Sequence, residues 1–104
     1  MNDMTAVSAS DVIAILRARE PALRQAGIRR LSLFGSVARN QAGPGSDIDL
    51  AAEFDPAAKM DLIQLVGLEQ ELGDLLGRDV QILPEPIRKE RLRANVERDR
   101  IRAF

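Results

Sequence analysis

Asp47 and Asp49 sit two residues apart in DIDLAAEF, where Ile48, Leu50 and Ala52 alternate with Asp47, Asp49 and Ala51. A period of two is that of a strand, and it projects both carboxylates from one face while the other face is apolar. Two like charges held side by side are costly unless a cation relieves them, and carboxylates at this spacing suit one hard divalent cation. Upstream, Gly35-Ser36 follows the apolar stretch IRRLSLF. A glycine there lets the backbone approach a ligand, and Ser36 opens a helical turn whose amides and hydroxyl favour a phosphate. Arg39, one turn further on, adds a bidentate phosphate contact. Phosphate holder and metal holder together outline a nucleotide site. Singly, each signal is weak, since Gly-Ser is most often a turn and two acids one apart are most often a solvated strand edge.

Composition narrows the chemistry further. The chain has 104 residues with no His and no Cys, so imidazole bases, thiol nucleophiles, thiolate metal sites and disulfides are excluded. With 45% apolar and 30% charged residues it is ordinary globular material, and three Phe without Trp or Tyr require an aliphatic core. Residues 1–104 are expected to form a single domain. No apolar run approaches the roughly 20 residues of a membrane span, and the opening MNDMTAVSAS lacks a positive region followed by an apolar stretch, so a soluble, cytoplasmic protein with no membrane partner is expected. Up to Pro86 there are 8 basic and 13 acidic residues, a net of −5; from Ile87 onward there are 7 basic and 3 acidic, a net of +4. This cationic arm suits phosphates, an acidic partner or plain solvation. No aromatic side chain interleaves with the bases, so the stacking platform of a nucleic-acid surface is missing.

Elements must position these residues. Ser8 or Ser10 can cap a first helix carrying Val12, Ile13, Ile15, Leu16 and Leu23, kinked or restarted at Pro21 and closed by Gly27. Ile28 to Phe34 is the first strand, Val37 to Asn40 a short helical turn, QAGPGS a loop, and Asp47 to Phe54 the second strand. Asp61 caps a long helix whose stripe runs through Leu62, Leu65, Val66, Leu72, Leu75 and Leu76, with Glu69 as its polar intruder, until Gly77 stops it. Asp79 to Leu83 is a third strand closed by Pro84, and a basic final helix over 87–104 turns Leu92 and Val96 inward. The expected class is α/β (α+β): a small three-stranded mixed sheet flanked by about four helices. Exposed sheet edges and the arm make homo- or hetero-oligomers plausible, although no heptad pattern specifies them.

LSLFGSVARNQAGPGSDIDLAAEFD resembles the signature of the minimal nucleotidyltransferases, the smallest branch of the DNA polymerase beta-like superfamily: Gly-Ser, ten residues (Val37 to Ser46), then Asp-x-Asp. The resemblance extends along nearly the whole chain, through ELGDLLGRDV to the basic last helix. It implies the nucleotidyltransferase fold and transfer of AMP from ATP to an acceptor hydroxyl. It further implies an antitoxin that silences a HEPN-type toxin by modifying a tyrosine. Gly35 and Ser36 would then cradle the triphosphate, and Asp47 and Asp49 would bind magnesium.

The family's third carboxylate falls at Gln81, in Gly77-Arg78-Asp79-Val80-Gln81-Ile82. An amide ligates weakly and takes no proton, so nucleotide binding could outlast transfer. That is the motive for the alternative, a transfer-deficient antitoxin acting as a stoichiometric cover. Asp79, two residues earlier on the same face, is the substitute carboxylate, but it is displaced by roughly 7 Å along the strand, beyond the ~4 Å between metals in two-metal sites. Asp79 reads more simply as a polar residue at a strand entrance. Asn40 replaces the Gly common after the Arg, a smaller departure because Asn tolerates left-handed backbone.

Overall fold

The computed structural model describes residues 8–104. Residues 1–7, where the opening segment was read for targeting, lie outside that range. Helix α1 (Ala9–Ala18) begins at Ser8, whose hydroxyl accepts the Asp11 N–H at 3.1 Å. Pro21 restarts the chain as α2 (Glu20–Gln25), where it occupies the helix's first turn. Strand β1 (Ile28–Phe34), the short helix α3 (Gly35–Ala38) and strand β2 (Ile48–Phe54) follow. Asp61 caps α4 (Leu62–Leu76) with a reciprocal capping box to Gln64, and Gly77, at φ +73°, ends it.

Two expectations are corrected at the C-terminal end. The third strand, β3 (Val80–Glu85), runs through Pro84 instead of stopping before it. A proline is tolerated there because β3 is an edge strand. The final helix is shorter than expected: α5 (Glu90–Asp99) gives way to a fourth strand, β4 (Ile101–Arg102), which pairs with Ser32 and Leu33 of β1. The sheet order is β3-β2-β1-β4, with β3 parallel to β2 and the remaining pairs antiparallel. The α/β class stands, with four strands in place of three.

Two cores lie on opposite faces of the sheet. Leu16, Leu31, Leu33, Ile48, Leu50, Leu68 and Leu72 join α1, the sheet and α4 on one face. Phe34, Ala51, Ile87 and Val96 join the sheet and α5 on the other, with half-buried Leu92 against them. The stripe expected along α4 is partly overturned: Leu72 is buried and Leu65, Leu75 and Leu76 pack against the core, but Leu62 and Val66 face outward; outside that stripe, Leu68 is buried and Ile63 exposed.

Both edges of the sheet are covered by helix side chains. Glu69 of α4 accepts the Ile82 N–H at 2.8 Å. Strand alternation turns the Val80 and Ile82 amides outward, and Pro84, next in that series, has none. At the opposite edge Arg17 of α1 donates to the carbonyls of Ala103 at 2.9 Å and Arg102 at 3.3 Å.

Candidate active site

Asp49 lies in the second residue of β2, between Phe34 of β1 and Gln81 of β3, its register partners on either side. Phe34 leads straight into Gly35, whose φ of +82° is strained for any side chain. A Cβ at Gly35 would overlap the Asp49 carboxylate. The Gly35 backbone thus packs directly on Asp49, and the start of α3 is brought to the acidic strand end. Burial and the neighbouring Asp47 hold the Asp49 carboxyl above its usual range, an effect that Arg39 partly offsets. The pair carries excess negative charge, and one divalent cation fits its donor set. Among the described residues, no group of three or more acidic side chains could hold a metal ion.

Asp47 is exposed and follows a tight loop in which Gly43 donates its N–H to the Ser46 hydroxyl at 2.8 Å. Arg78 fixes this loop by donating to the Gly43 carbonyl at 3.0 Å and the Ser46 carbonyl at 3.3 Å. Asp47, Asp79 and Gln81 line one open cleft of about 1030 Å³ between the loop, α4 and the start of β3. Gly35, Ser36, Arg39 and Asp49 are not part of its lining. Asp79 precedes β3, and its carbonyl accepts the Ile48 N–H at 2.9 Å, so its backbone secures the start of β2. Gln81 is exposed and in direct register with Asp49.

Arg39 is more firmly held than its position in the sequence suggests. It donates to Asp99 of α5 at 2.5 Å and to Gln41 at 3.0 Å. Asp99, with a side chain only 5% exposed, also accepts from Arg98, and these two guanidiniums hold its carboxyl below the usual range. Asn40 is in left-handed backbone, φ 56°, and its side-chain oxygen accepts the Ala9 N–H at 3.1 Å, tying the loop after α3 to the head of α1. Just past the end of α5, Arg100 spans the sheet from Glu85, at 2.6 Å, to the buried Ser32 hydroxyl, at 3.0 Å. Sequence reasoning missed Asp99, Arg100 and Glu69 as partners. It named Arg78 without finding its role, although the Gly77-Arg78 pair at a helix end was the available signal.

A glycine-led helical turn packs on an aspartate at the end of a mixed sheet, and this chain belongs to the nucleotidyltransferase family: the Nucleotidyltransferase domain matches residues 12–103. The chain is 40% identical over 76 residues to the Methanocaldococcus jannaschii "Putative protein adenylyltransferase MJ0435", covering 69% of this chain and 80% of that one. It is 29% identical to the protein adenylyltransferase MntA of Thermococcus cleftensis, covering 92% of this chain and 96% of that one. In fold it matches a chain of the complex between tri-AMPylated HEPN toxin and MNT antitoxin from Shewanella oneidensis with a TM-score of 0.64, at 22% identity, over 88% of this chain and 71% of the other.

Proposed function

We propose that this chain is a cytoplasmic antitoxin that transfers AMP from Mg-ATP to a tyrosine hydroxyl of a HEPN-type toxin. The observation that carries this reading is the contact of Gly35 with Asp49, which joins a phosphate-favouring helix start to a carboxylate pair. The names borne by the relatives, protein adenylyltransferase and MNT antitoxin with AMPylated toxin, support the substrate and the partner.

In this reading the backbone of Gly35 and Ser36 receives the triphosphate, because the first-turn amides of a helix have no acceptor inside it. Arg39 balances charge beside Asp49, and Asp99 and Gln41 fix its guanidinium. Asp47 and Asp49 would hold a magnesium ion, which would supply charge neutralisation at the triphosphate and the departing pyrophosphate. The acceptor oxygen bonds to the α-phosphorus as the bond to pyrophosphate breaks. The hydroxyl proton must then go to water or to a carboxylate of the cleft, since the Gln81 amide takes none.

The register of Gln81 beside Asp49 favours a second reading, in which the chain binds nucleotide and partner but transfers poorly or not at all. The intact mass of the co-expressed toxin separates the two. A gain of one or more AMP units supports transfer, whereas an inhibited toxin of unchanged mass supports the stoichiometric cover.

A further inference from the structure

Leu62, Ile63 and Val66 are the exposed large apolar side chains among the described residues, at 73%, 84% and 42% of full exposure. They occupy the first two turns of α4, next to the capping box of Asp61 and Gln64 that fixes the helix start. Val66 also lines the cleft that holds Asp47 and Gln81, so the apolar patch and the acidic strand end are two ends of one surface. That surface is negative. No Lys or Arg occurs in α4, and the cleft sets Asp47, Glu69, Asp74 and Asp79 against the single base Arg78, which is bonded to loop carbonyls.

We propose that Leu62, Ile63 and Val66, with the adjoining cleft, form the docking face for the acceptor polypeptide: a segment with apolar side chains flanked by Arg and Lys, which carries its hydroxyl residue toward Asp47. This rests on the adenylyltransferase reading and adds the chemistry of the partner. The apolar side chains of the segment cover the patch, and its basic flanks meet Asp74 and Asp79. A second copy of the chain fits less well. Twofold pairing of this patch would set Asp61 and Asp74 of one copy near those of the other.

The test uses two labelled helical peptides and the whole chain without nucleotide, read by fluorescence anisotropy. One peptide carries Leu at helical three- and four-residue spacing, Lys and Arg on its flanks and one Tyr; in the other, Glu replaces every Lys and Arg. Binding of the basic peptide alone is expected, weakened about tenfold or more by Leu62→Ser/Ile63→Ser. The variant's thermal transition checks that it remains folded. Equal binding of both peptides, no binding of the basic one, or binding that survives the double substitution overturns the proposal. So does self-association that the double substitution abolishes, since a second copy would then be the occupant. Because the peptide assay contains no nucleotide, a wild type that fails in separate assays to bind Mg-ATP or to transfer AMP counts against the function reading and leaves the docking result standing.

Discussion

Asp49 and Gln81 stand side by side in parallel register, a carboxylate and an amide on neighbouring strands of one sheet face. Replacing the amide with Gln81→Asp adds a third anion beside a carboxyl that already resists ionisation. Without metal, the variant should melt at a lower temperature than the wild type. With Mn2+ and ATP it should regain that loss and increase AMP transfer to the partner, read by intact mass. A transfer rate equal to that of the wild type would mean that Gln81 is not where the acceptor proton departs.

Removing the acidic pair should trade function for stability. The carboxyl of Asp49 is raised by burial and by Asp47, so the folded state holds its proton more tightly than the unfolded chain. For a raised acid the sign is unfavourable: stability falls as pH rises from the usual carboxylate value through the folded one. Asp49→Asn should therefore raise the thermal midpoint near neutral pH, and both Asp49→Asn and Asp47→Asn should lose the calorimetric heat of Mg-ATP. Heats equal to the wild type would end the metal assignment.

Gly35→Ala should fail twice. Its φ of +82° strains any side chain, and the new Cβ meets the Asp49 carboxylate. A cost of about 1–3 kcal/mol is expected for the backbone alone, read as a fall of several degrees in the melting midpoint. Mg-ATP binding should be lost even well below that midpoint.

The Arg100 bridge is a stability element. Its guanidinium and the Glu85 carboxylate are mostly buried, with side chains 24% and 19% exposed. Arg100→Ala leaves Glu85 and the Ser32 hydroxyl without this donor, at a cost of about 1–3 kcal/mol in urea unfolding. Salt screens a mostly buried pair much less than an exposed one, so the loss should persist in high salt.

Acid should loosen the tie between α3 and α5. The carboxyl of Asp99 is lowered from 3.8 by its bonds to Arg98 and Arg39. A lowered acid contributes stability above its unfolded value, and that contribution disappears as pH falls through the folded value. Asp99→Asn should thus flatten the pH dependence of stability below about 3.8, and chemical shifts of Arg39 should report the release.

What sequence reasoning reached was local or periodic. The alternation in DIDLAAEF placed Asp47 and Asp49 at the head of a strand with Ile48 and Leu50 in the core; β2 begins at Ile48, with Asp49 inside it, Asp47 just before it, and Ile48 and Leu50 buried. Ser8 and Asp61 cap their helices because a cap needs only the next few residues. Strand β4 was beyond reach: two residues carry no pattern, and Ile101 is a strand only because Leu33 pairs with it. The stripe of α4 misled because the helix turns Leu65, Leu68 and Leu72 to the core and leaves Leu62 and Val66 on its exposed side. The partner of Arg39 lies 60 residues further along the chain, a distance that spacing cannot bridge.

The treatment of β3's outer side has a consequence for a solitary copy of the chain. With the Ile82 amide taken by Glu69 and no amide at Pro84, such a copy presents little main-chain template for another strand to extend. Fibril growth and strand exchange among solitary copies are disfavoured at that rim, which leaves recognition to side chains.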